Sequence, residues 1–131
     1  MRRVTRWFVL GAFCILAATA CGDAFGIDDV LGMWETTSIN GDPVPGIVVV
    51  EGESFDVQYY RWTFVDGGQC SVAADVDGEV ESMDDCDYTV NIEQETIAIT
   101  FFDIDFFQGS INGDRMTLTD DEGVILVLRR Q

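Results

Sequence analysis

Histidine and lysine are both absent from this 131-residue sequence, and their absence removes much chemistry at once. Without histidine the chain has neither the usual general base near neutral pH nor the commonest metal ligand. With no lysine either, its serines and threonines have nothing to activate them, so a nucleophilic mechanism has no visible parts. The expectation is a protein that is not an enzyme, with no catalytic residues, no cofactor and no metal. Helical periodicity is missing beyond the first 20 residues, as is any uncharged run long enough to cross a bilayer.

Positive charge is the next scarcity. All seven cations are arginines, against 24 acidic residues. Arg2, Arg3 and Arg6 crowd the beginning of the chain, and only Arg61, Arg115, Arg129 and Arg130 follow. From residue 21 onward, four arginines against 24 acids leave a net charge of −20. Phosphates would be repelled where counterion release normally drives binding, so nucleic acid is excluded as a partner. The same charge disfavours an electrostatic dock on anionic lipid. A cation-attracting surface and plain solubility remain, with solubility the simpler reading.

What is present begins with a leader. Arg2, Arg3 and Arg6 precede Trp7 to Ala20, an apolar run of 14 residues, too short to favour a spanning helix. Residues 1–20 therefore read as a signal peptide. Ala18-Thr19-Ala20-Cys21 resembles a bacterial lipobox, which implies that Cys21 is acylated and that acyl chains hold the protein to a membrane. Residues 21–30 then read as an acidic tether. In diderm lipoproteins an Asp directly after the cysteine retains the protein at the inner membrane. Gly22 holds that place here, which points to the periplasmic face of the outer membrane in the cell envelope.

The remainder, 31–131, has a period of two. Strands are expected near 32–39, 46–51, 54–65, 69–76, 85–92, 95–102, 106–111, 114–119 and 123–130. Turn sequences separate them, including Asn40-Gly41-Asp42-Pro43, Asp66-Gly67-Gly68, Asp77-Gly78 and Asn112-Gly113. The fold class is all-β, an antiparallel up-and-down barrel of about eight strands. Inward rows are Ile97, Ile99 and Phe101; Phe107, Ile111, Met116 and Leu118; and Val124, Leu126 and Leu128. Ile125 and Val127 make the last strand apolar on both faces, which calls for a cover on its outside. Within 54–65 the apolar phase flips from Phe55, Val57, Tyr59 to Tyr60, Trp62, Phe64, the mark of a β-bulge.

With Cys14 in the leader and Cys21 acylated, Cys70 and Cys86 remain as a pair in an oxidising compartment. A hairpin centred on Gly78 sets them opposite each other, each eight residues away. A structural disulfide is preferred over metal or redox chemistry, since further Cys or His ligands and a Cys-x-x-Cys spacing are absent. The acidic run from Asp75 to Asp87 supplies hard oxygens suited to calcium, but without the order of an EF-hand loop. A solvated hairpin is the simpler reading.

Gly32-Met33-Trp34, the turn Asn40 to Pro45, Tyr60-Arg61-Trp62-Thr63-Phe64 and the closing Gly109 to Thr119 together resemble small bacterial lipocalin-like lipoproteins over residues 31–130. That resemblance implies a Trp34–arginine packing pair at the closed end, with Arg129 or Arg130 as the cation. The aromatics Phe55, Tyr59, Tyr60, Trp62, Phe64, Phe101, Phe102, Phe106 and Phe107 are candidates to line a ligand pocket, with Tyr60, Trp62, Phe64, Phe101 and Phe107 foremost. Small barrels more often fill themselves with such side chains, and ordinary core is the simpler reading. META-type domains show a similar opening, but Gln69-Cys70-Ser71 does not match the Gly-Cys-Asn expected of them. The expected function is a monomeric, lipid-anchored envelope lipoprotein that binds a small apolar ligand. The alternative is a structural lipoprotein whose solid barrel contacts another envelope protein.

Overall fold

Alternating residues cut by turn sequences do fold as strands. The computed structural model, which describes residues 24–101 and 105–131, is all-β apart from one turn of 3₁₀ helix at Ile27–Asp29. The leader, Cys21 and Phe102 lie outside the described residues. Ten strands follow the turn: β1 (Gly32–Ile39), β2 (Asp42–Pro43), β3 (Gly46–Val50), β4 (Glu53–Val65), β5 (Gln69–Val76), β6 (Glu79–Asn91), β7 (Thr96–Phe101), β8 (Asp105–Asn112), β9 (Arg115–Asp120) and β10 (Ile125–Arg130).

From β4 to β10 each strand pairs antiparallel with the next, β10 pairs with β1, and β1 pairs with the second half of β4. That last pairing closes an eight-stranded barrel. Two short strands stand beside the ring. β2 extends the end of β1, and β3 folds back on the first half of β4, where β1 has turned away.

Three register shifts shape the wall. In β4 the shift lies between Val57 and Tyr59, so Gln58 is the extra residue. It turns Val57 and Tyr60 to the same side although they are three apart, as the phase flip predicts. In β6 the shift lies opposite Ser71, and it corrects the expected disulfide register. The hairpin is not centred on Gly78, because Val76 pairs with Glu79 across a two-residue Asp77-Gly78 turn. Continued straight, that register would set Cys70 opposite Asp85. One extra residue in β6 brings Cys86 opposite Cys70 instead, with Cα atoms 4.9 Å apart, and a buried disulfide joins them. The third shift, in β1 opposite the step from Val127 to Leu128, leaves Thr37 to donate its hydroxyl to the Val127 carbonyl at 3.1 Å.

Some boundaries differ from expectation. The strand expected over 85–92 begins at Glu79, because pairing with β5 carries Glu79 and Glu81 into the ladder despite their weak intrinsic β preference. Ile125 has no cover among the described residues and is 45% exposed. The stretch 21–30 is not tether throughout. Phe25 packs against the core and Val30 is fully buried, because the 3₁₀ turn folds under the barrel and the Trp34 indole donates to the Val30 carbonyl at 2.9 Å.

That contact begins the closed end. Trp34, wholly buried, pairs across β1 and β4 with Trp62, also wholly buried. The Arg130 guanidinium lies 5.1 Å from the Trp34 ring and donates to the carbonyls of Leu31 at 2.6 Å and Asp28 at 3.2 Å. The cation on Trp34 is therefore Arg130 and not Arg129. Strand alternation decides it, because Arg130 stands opposite Trp34 whereas Arg129 stands opposite Glu35 on the outer face.

Arg130→Met should lower stability by about 2–3 kcal/mol in denaturant titration, losing a cation–π contact and two charge-assisted hydrogen bonds. Arg129→Met should stay within about 0.5 kcal/mol of the parent, as an exposed substitution does. Replacing Cys70 and Cys86 together with Ala should cost about 3 kcal/mol, the chain-entropy value for a loop of this length.

Candidate functional site

The two ends of the barrel differ. Below its middle the interior is filled with rings. Trp62 stacks on Tyr60 at 5.4 Å and on Phe64 at 6.4 Å, and meets Phe101 and Phe107 edge-on at 5.6 and 5.3 Å. Phe64 in turn meets Tyr88 edge-on at 5.1 Å. The Tyr88 hydroxyl donates to the Val65 carbonyl at 2.7 Å, and burial, aided by the charge of Asp66, pushes its phenol above the usual 10.0. Trp62 Nε1 and Thr36 Oγ1 are buried in this interior without a hydrogen-bond partner among the described residues.

Toward the other end the rings give way to a cup. Its floor and walls come from Tyr60 on β4, Val72 on β5, Met83 on β6, Phe101 on β7, and Phe106 and Phe107 on β8. Asp120, Asp121 and Glu122, in the β9–β10 turn, form its rim, and the concavity holds about 330 Å³. A second hollow of about 250 Å³ adjoins it, sharing Tyr60, Phe107, Asp120 and Glu122 and bounded by Val48, Phe55, Val57 and Leu126. Both β-bulges place these walls. The Gln58 bulge turns Phe55, Val57 and Tyr60 to one side, and the β6 bulge lets Met83 and Cys86 both face inward.

The candidate residues thus divide. Tyr60, Phe101 and Phe107 line the cup, whereas Trp62 and Phe64 are wholly buried beneath it and belong to the packed core. The ring contacts of Trp62 with Tyr60, Phe101 and Phe107 hold the cup's aromatic walls in position. Met83, Val72 and the three rim acids are the lining residues that sequence reasoning missed. Met83 sits in an acidic stretch with no apolar alternation around it. The rim acids look like ordinary turn residues, and only barrel closure brings them over the aromatics.

The rim has its own order. Asp120 accepts backbone N–H bonds from Glu122 at 2.9 Å and Val124 at 2.8 Å through one carboxylate oxygen, which fixes the turn. Glu122 is exposed and lies beside Glu51 of the β3–β4 turn. Hydrogen bonding to Glu51, then the charge of Glu51, partial desolvation and the charges of Asp120 and Asp121, raise its carboxyl above the ordinary 4.5.

A larger hollow of about 550 Å³ lies on the outer face of β6 to β9, lined by Thr89, Thr96, Ala98, Gln108, Ser110 and Thr117. Gly109, in its lining, lets β8 approach β9 closely. A Cβ there would come within 1.9 Å of the Thr117 carbonyl oxygen. The lining of this hollow is uncharged and contains no aromatic ring. It is shallow and more open to solvent than the cup, so the smaller and more enclosed aromatic cup is the better ligand site. The acids of the β5–β6 hairpin are spread along two strands, and among the described residues no three ligating side chains are grouped to hold a metal ion.

No family model matches this chain, and neither a curated protein nor a solved structure matches it. The closed antiparallel barrel of eight strands matches a lipocalin-like barrel in fold.

A carboxyl raised by a like-charged neighbour stabilises the fold while the pair keeps its proton, and loses that contribution as the pH rises past its folded-state value. Glu122→Gln keeps a donor for Glu51 without the charge. Its melting temperature at pH 7 should therefore exceed that of the parent, and the difference should close as the pH falls below the ordinary glutamate range.

Proposed function

We propose that this protein is an envelope lipoprotein, anchored through acyl chains on Cys21, whose barrel binds a small apolar ligand at its open end. One observation carries the ligand reading. An aromatic cup of about 330 Å³ sits over a fully packed lower barrel, at the lower end of the usual size for ligand sites. The protein is read as a monomeric binding module and not as an enzyme, since the chain has neither histidine nor lysine to activate a serine or threonine nucleophile.

The direction of the chain supports the anchored reading. The described residues begin at Ala24, beside the closed end, where Val30 and the 3₁₀ turn pack under Trp34. An anchor upstream of Ala24 would hold that end toward the bilayer and leave the cup facing away from it. A periplasm-facing position at the outer membrane is the placement this reading takes.

The filled lower half gives the second reading its observation. Trp34, Trp62 and Phe64 leave that part of the barrel solid, as suits a structural lipoprotein that contacts another envelope protein through its acidic exterior. Native extraction followed by mass spectrometry separates the two. A small apolar molecule should co-purify, and its consistent absence would favour the structural role. In cell fractionation, Cys21→Ser should move the protein out of the membrane fraction; retention there would remove the lipid anchor from the proposal.

A further inference from the structure

The charge of this protein is not spread evenly along the barrel. All four arginines among the described residues lie toward the closed end. Arg130 sits under Trp34, and Arg61, Glu35, Arg129 and Arg115 follow one another in register across β4, β1, β10 and β9. Arg61 is paired with Glu35 and lies 4.2 Å over the Tyr59 ring. The cup end holds no cation among the described residues. Its turns carry Glu51, Asp77, Asp120, Asp121 and Glu122, and the last three stand directly on the lip of the aromatic cup.

Aromatic faces carry negative electrostatic potential, and carboxylates at the edge of an apolar hollow strengthen it. The charge of such a site repels an anion, adds nothing to the apolar burial of a neutral hydrocarbon and attracts an ammonium group. Asp120 has one oxygen committed to backbone N–H groups, whereas Asp121 and Glu122 are exposed and only Glu122 is drawn toward another carboxyl. We infer that the cup binds a small organic cation, its apolar part among Tyr60, Phe101 and Phe107 and its ammonium group against Asp121 and Glu122. This rests on the cup being a ligand site, and it names the class of ligand.

Three probes of similar shape test it on the full chain: phenyltrimethylammonium, its uncharged carbon isostere tert-butylbenzene, and benzenesulfonate. Binding is followed by chemical-shift changes of the Tyr60, Phe101 and Phe107 rings. At low salt the cation should bind roughly tenfold more tightly than the neutral isostere, and the anion more weakly than either. The advantage of the cation should shrink at high salt and in the Asp121→Asn, Glu122→Gln double variant, which leaves Asp120 and its turn intact. Equal binding of cation and isostere, or tighter binding of the anion, would overturn the charge inference while leaving the cup as a ligand site. If none of the three moves the rings, the ligand reading itself fails with it.

Discussion

Four residue pairs close this barrel. Gly32, Met33, Trp34 and Glu35 of β1 meet Phe64, Thr63, Trp62 and Arg61 of β4, and beyond them the two strands part. A seam so short cannot rest on its ladder hydrogen bonds alone, each worth about 1 kcal/mol net. What holds it is the burial at its centre, where Trp34 and Trp62 stand opposite each other with no exposed surface. Arg130 braces Trp34 from the last strand and ties it to the carbonyls of the N-terminal turn. The beginning, the middle and the end of the chain thus meet at one tryptophan, and the other strands inherit their curvature from that closure.

The bulges decide what the closed barrel can hold. A regular β4 would send either Val57 or Tyr60 outward; the extra residue at Gln58 keeps both inside. A regular β6 would separate Cys86 from Cys70 and turn it to the opposite face; the extra residue there makes the disulfide possible and keeps Met83 inward as well. The cup is the product of these two insertions laid over a solid base.

Charge adds a direction to this architecture. Among the described residues the arginines gather toward the closed end, and the charged side chains of the far end are carboxylates around an aromatic hollow. The excess of 20 acids over arginines from residue 21 onward is unevenly placed, because three of those acids stand on the rim of the aromatic cup. Anchoring at one end and ligand binding at the other are compatible in this arrangement, since neither needs the surface that the other uses.

The amino-acid pattern by itself determined the fold class, the inward rows from Ile97 to Leu128, the phase break in β4 and the pairing of Cys70 with Cys86. These follow from local rules: a side-chain period of two, turns that require Gly or Asn, and an even cysteine count. The Gly-x-Trp motif also pointed to an arginine on Trp34, although only strand register could choose Arg130 over Arg129. Tertiary structure alone decided the rest. The two-residue turn and the compensating bulge are indistinguishable in sequence from a hairpin centred one half-residue later, because both bring the cysteines together. The division of the aromatics into core and cup depended on which level of the barrel each strand places them. The acidic rim came from closure, which sets a turn near residue 121 above side chains some 60 positions away in the chain.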